Sequence, residues 1–152
     1  MESEEEKKAE VKRMMNFYQC IRRGDLISFE ASDELMLSEI NSAEYDLKRA
    51  EESLDREDHK WASIQAYHSM MHSGRVMVLA KGYRTENVQC LLAALKELYL
   101  ATGELQKYVV ENFEMCMNIW HECDIGTMPD KESTKVCVES AKNFLMYALK
   151  IV

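Results

Sequence analysis

Along almost the whole chain, apolar residues recur every three or four positions, and this periodicity limits the fold more than any other feature. Residues 5–23 carry Val11, Met14, Met15, Tyr18 and Ile21 at helical steps, with Gly24 placed as a stop. Ser32 and Asp33 offer a cap for a second segment striped by Met36, Ile40, Ala43, Leu47, Ala50 and Leu54. That stripe keeps one seam toward partner helices. The opposite face, with Glu39, Lys48, Arg49, Glu51 and Glu52, reads as solvated surface.

The third segment, 58–81, is apolar on more than one side (Trp61, Ile64, Tyr67, Met71, Val78 and Leu79) and ends at Gly82. A helix of that kind sits centrally among several neighbours. Gly74, in its middle, should cost about 1 kcal/mol relative to alanine, which a close helix crossing would explain. A fourth helix is predicted over 86–101, ended by Gly103, and a fifth over 104–123. The fifth is striped by Leu105, Val109, Phe113, Cys116, Met117 and Trp120. Gly126 and Pro129 mark a loop, and Asp130 can cap a sixth helix striped by Cys137, Ala141, Phe144, Leu145 and Ala148. No stretch alternates with period two for long enough to predict a strand. The expectation is all-α: one domain over 1–152, an antiparallel up-and-down helical bundle of four main helices with one or two additional ones.

Composition narrows the setting. At 152 residues, roughly 68–70% of the unfolded chain's surface can be buried, enough for a core without staples. The acidic start, Met1-Glu2-Ser3-Glu4-Glu5-Glu6, is unlike a secretory signal, and no apolar run approaches membrane-spanning length, so a cytoplasmic location away from membranes is expected. Five cysteines without a CxxC pair argue against a disulfide framework and for reduced thiols packed as small hydrophobes. A net charge of −8 opposes binding to a nucleic-acid backbone, whose affinity comes mainly from neutralised phosphates.

The order of the pieces carries a resemblance. "CIRRGDLISFEAS" (20–32) precedes the long amphipathic segment, followed by "DHKWASIQAYHSMMHSGRVMVLAKGYRTEN" (58–87), an apolar fourth helix and "ATGEL" (101–105). From about Cys20 to the last helix, the chain resembles the small stand-alone prokaryotic HEPN-domain proteins, most closely over the third helix and the Lys81-Gly82-Tyr83-Arg84 turn. The resemblance implies the helical bundle, a homodimer, and a minimal nucleotidyltransferase as partner in a toxin–antitoxin-like pair.

Active ribonucleases of that family use an arginine followed, after four to six residues, by a histidine. Such a pair suits RNA cleavage, which needs a proton acceptor near the 2′-hydroxyl and a cation for the phosphate. The chain has four histidines, so the motif can be searched completely. The positions five to seven before them hold Leu54, Ser53 and Glu52 (His59); Ser63, Ala62 and Trp61 (His68); Tyr67, Ala66 and Gln65 (His72); and Cys116, Met115 and Glu114 (His121). None is an arginine. In "NIWHECDIG" (118–126), similar to a family stretch that carries one, Trp120 stands near the expected arginine and lies on the apolar stripe. No catalytic residue is therefore assigned, and the divergent ribonuclease remains the alternative from the enzyme class.

A metal or cofactor finds equally little. His68 and His72 are one turn apart, but HExxH is missing, since Ser69 stands at the glutamate position, and Arg75 is a poor neighbour for a dication. On one helix, His121 is turned roughly 140° from Cys116 at about 100° per residue, which parts them as ligands of the Cys116, His121, Cys123 set. What remains for His68, His72, Arg75 and Arg84 is packing across helices or binding. Tyr67, His72 and Arg75 fall in the string "AYxxMxHxxR" that the resemblance highlights, and architecture is its plainer reading. The sharper reading has His72 and Arg75, with Arg84, on a nucleotide phosphate or a partner's acidic surface, since guanidinium groups match phosphate geometry.

Overall fold

The computed structural model describes residues 3–5 and 16–152. Val11, Met14 and Met15 of the first expected helix lie outside the described residues. The elements run α1 (Phe17–Arg22), β1 (Leu26–Ser28), α2 (Asp33–Asp55), α3 (His59–Ala80), β2 (Tyr83–Thr85), α4 (Val88–Leu95), α5 (Lys107–Asp124) and α6 (Lys131–Ile151). The fold is all-α apart from the two short strands, as the periodicity predicts.

Local chemistry sets the boundaries. Ser32, Asp58, Asn87 and Asp130 each turn a side-chain oxygen onto an amide of the first turn that follows, satisfying donors that a helix leaves open. Gly82 has φ +88°, a left-handed conformation in which the chain leaves α3 and enters β2.

α3 is the centre of the bundle and packs against α2, α4, α5 and α6. Its small residues make this possible: Ala62, Ser63, Ala66, Ser69, Ser73 and Gly74 are all buried. A Cβ added to Gly74 would lie 3.4 Å from each of Leu91 Cδ2, Leu95 Cδ1 and Phe144 Cε1, so this glycine is where α4 and α6 approach α3. The core around the crossing holds Met70, Met77, Leu91, Leu95, Phe113 and Phe144, all under 3% exposed. Tyr67 stacks on Phe113 and Trp120, with ring centroids 6.1 and 5.1 Å away, which makes Trp120 part of the packing.

Four expectations need correction. β1 and β2 pair antiparallel with Leu26 opposite Thr85 and Ser28 opposite Tyr83, although neither stretch suggested a strand. Three residues apiece are too few to show alternation, and their pairing is long-range. The fourth helix does not continue unchanged to Ala101 but passes into a wider π turn at Lys96–Leu100, where buried Tyr99 donates to the Met77 carbonyl. Trp61 is 51% exposed, so the side of α3 it marks at its first turn is not buried. Finally, Cys20 and Cys90 form a disulfide between α1 and α4, while Cys116, Cys123 and Cys137 are buried and free. The count of five cysteines hides this pair because 70 residues separate the two members.

Candidate functional site

His68, His72 and Arg75 project from the same stretch of α3, as their spacing requires, but folding gives them different partners. α2 lies alongside and presents Glu39 and Asp46, seven residues apart and so about two turns. His72 reaches between them. Its Nδ1 is 2.6 Å from Glu39 Oε2 and its Nε2 is 3.6 Å from Asp46 Oδ2. All three side chains are largely enclosed, at 18–23% exposure. Glu39 therefore belongs to a polar contact between helices and is not part of the solvated face predicted for it.

The electrostatics of the group follow from burial. Burial lowers the His68 pKa from 6.5; Asp46 opposes the shift, and His72 and Arg75 reinforce it. Burial raises the Asp46 carboxyl above its ordinary 3.8, offset in part by His72 and His68. Tyr67, one residue before His68, is pushed up to about 12 by burial against the small opposing effect of Arg75, so it stays a neutral phenol at physiological pH.

Arg75 and Arg84 form a second group. Arg75, on α3, is 23% exposed and sits beside β2, while Arg84 projects from β2 itself. Both face Glu86, just before the N-cap of α4: Arg75 Nη2 is 3.7 Å from Oε2 and Arg84 Nη2 is 3.6 Å from Oε1. The Arg84 guanidinium lies over the Phe29 ring, 4.9 Å from its centroid. Leu35, Glu39, Arg75, Tyr83, Arg84 and Glu86 are among the walls of a narrow cleft of about 20 Å³, room for about one water molecule.

The four residues singled out from the sequence thus separate into an imidazole pair facing α2 and an arginine pair sharing Glu86. Sequence reasoning missed Glu39, Asp46 and Glu86. The i, i+7 spacing of Glu39 and Asp46 on one helix was the available signal for the first two, and adjacency to Arg84 for the third.

The HEPN-domain family model matches residues 37–152, which spans α2 from Leu37 through α6. The chain belongs to the HEPN-domain family. No curated protein matches it. Within this HEPN domain, the matched span includes His68, His72, Arg75, Arg84 and Glu86, whereas α1, β1 and Cys20 precede it. The disulfide consequently ties the preceding segment to the family domain proper. Among the described residues, no three His, Cys, Asp or Glu side chains come together to hold a metal ion. The hydrogen bond with the adjacent Cys137 thiol, and then burial, raise the Cys116 pKa, which keeps that sulfur protonated and unreactive.

Proposed function

We propose that this HEPN protein acts by association and not by catalysis: with itself, and with a minimal nucleotidyltransferase in a toxin–antitoxin-like pair in the cytoplasm. What carries the non-catalytic half is the placement of His72 between Glu39 and Asp46. A base for the 2′-hydroxyl must reach RNA, but here both ring nitrogens face carboxylates that repel a phosphodiester. Arg75, the arginine on the same helix, is directed to Glu86 instead. A phosphate approaching His72 would meet two negative groups.

Association is supported by the surface of α2, where Leu37 and Tyr45 are 55% and 60% exposed around a shallow basin that also includes Asn41, Asp46 and His72. Aromatic and aliphatic side chains of this kind serve as contact anchors. The test is incubation of purified protein with labelled RNA, with and without added divalent metal. No cleavage above a buffer control is expected. Robust cleavage that disappears in His72→Ala or His121→Ala would replace this reading with that of a divergent ribonuclease.

A further inference from the structure

Acidic charge is gathered in one stretch of the chain. Residues 24–47 hold seven Asp or Glu and no Lys or Arg, in a sequence whose whole net charge is −8. Three of the seven are engaged: Asp25 by Arg23, and Glu39 and Asp46 by His72. Glu30, Asp33, Glu34 and Glu44 are exposed, and among the described residues none of these four pairs with a cation. Glu30 and Asp33 stand on an open groove of about 730 Å³ where the start of α2 meets the ends of α3 and α6. The rest of its described lining is apolar and includes Phe29, Met36, Leu37, Leu79, Ile151 and Val152. Leu37 and Val152 remain 55% and 63% exposed there. The neighbouring cations are drawn elsewhere: Lys81 Nζ donates to both Glu104 oxygens, at 2.8 and 3.1 Å, and Arg84 is shared between the Phe29 ring and Glu86. The last turn of α3 has no basic residue, so its terminal carbonyls add to the negative potential. The start of α2 offsets part of the Asp33 charge, but Glu30 precedes that helix.

We propose that this groove docks a cationic amphipathic helix of a partner protein. The apolar side of that helix enters the groove, and its Lys or Arg residues meet Glu30, Asp33 and Glu34 along the rim. Met36 supplies a wall that adapts to leucine or aromatic anchors. Charge decides against other occupants. A fatty acid, an anionic lipid surface or a nucleic acid would meet uncompensated carboxylates. A second copy seated here would bring its own net charge of −8. The inference goes beyond the self-association proposed above, which uses the face around Tyr45, although Leu37 borders both surfaces.

Fluorescence anisotropy of the full chain with labelled synthetic peptides of about 18 residues, at roughly 0.15 M salt, tests this. One peptide carries leucines at helical i, i+3, i+4 and i+7 steps with lysines between them. A second has the same composition in scrambled order, and a third has glutamate in place of lysine. The first should bind saturably at micromolar concentration, the other two at least about tenfold more weakly. Ala80→Lys, which puts a like charge on the exposed groove wall, and Glu30→Lys, which reverses the rim, should each weaken the first peptide about five- to tenfold. A melting temperature unchanged in both variants would show that the fold is intact. Equal binding of the scrambled peptide would reduce the effect to net charge, equal binding of the glutamate peptide would remove the charge match, and affinity indifferent to both substitutions would place the peptide elsewhere. Each of these results would overturn the proposal. So would a light-scattering mass that falls in Ala80→Lys, which would assign the groove to a second copy, or cosedimentation of the unaltered protein with phosphatidylserine vesicles, which would assign it to a membrane.

Discussion

His72 is held by two carboxylates that come from a helix its own sequence neighbourhood does not reveal. Replacing it by alanine leaves Glu39 and Asp46 facing each other, largely enclosed and without their donor. The expected cost is about 1–3 kcal/mol, read from the urea midpoint, because a buried polar group left without its partner still carries its desolvation penalty with no bond to offset it. Arg84→Ala, at a more exposed position, should change stability by no more than about 0.5 kcal/mol. A reversed order would place the architectural role on the wrong pair. His68 makes a pH-dependent contribution. Its folded pKa lies below 6.5, so between the two values the unfolded chain binds the proton that the folded one resists. Stability should therefore fall as pH drops from about 6.5 through the depressed value, and His68→Gln should flatten that fall. Identical urea midpoints against pH for the two proteins would contradict this. Asp46, raised above 3.8, has the opposite sign: the cost of its buried charge is relieved as pH falls through its folded value.

Among the elements, α3 and the Cys20–Cys90 bond set the sharpest expectations. Gly74→Leu would drive a side chain into Leu91, Leu95 and Phe144, each already 3.4 Å from a bare Cβ, and should cost about 1–3 kcal/mol. Gly74→Ala should be nearly neutral, because its gain of about 1 kcal/mol in helix propensity offsets mild crowding by movable side-chain ends. The disulfide closes a 70-residue separation, for which chain entropy alone gives about 4 kcal/mol. Cys90→Ser, or reduction under mild denaturant, should lower the thermal midpoint and loosen α1 first; an unchanged midpoint would show that the bond adds nothing. These elements also show what could be read beforehand. The caps at Ser32 and Asp130, the stop at Gly82 and the crossing at Gly74 were legible because each depends on the helix it belongs to. The strands, the disulfide and the carboxylates around His72 were not. Their partners lie 26 to 70 residues away, and no local period records such a distance.

At the scale of the molecule, one contiguous core joins Phe17 and Cys20 in α1 to Phe144 and Ala148 in α6, so the segment before the family match is built into the same interior. The described residues contain no helix long and apolar enough to cross a membrane. The family's bundle was recoverable from sequence order, whereas the division of the candidate residues into an imidazole group and an arginine group was not, because it depends on how α2 and β2 flank α3. On the associative reading proposed above, the exposed Leu37 and Tyr45 beside His72 are where contact is expected. Light scattering of the purified chain at micromolar concentration is the most direct measurement. A mass about twice the 17.7 kDa chain is expected, shifting toward one chain mass when Leu37 and Tyr45 are replaced by serine. A mass of one chain for the unaltered protein would contradict it.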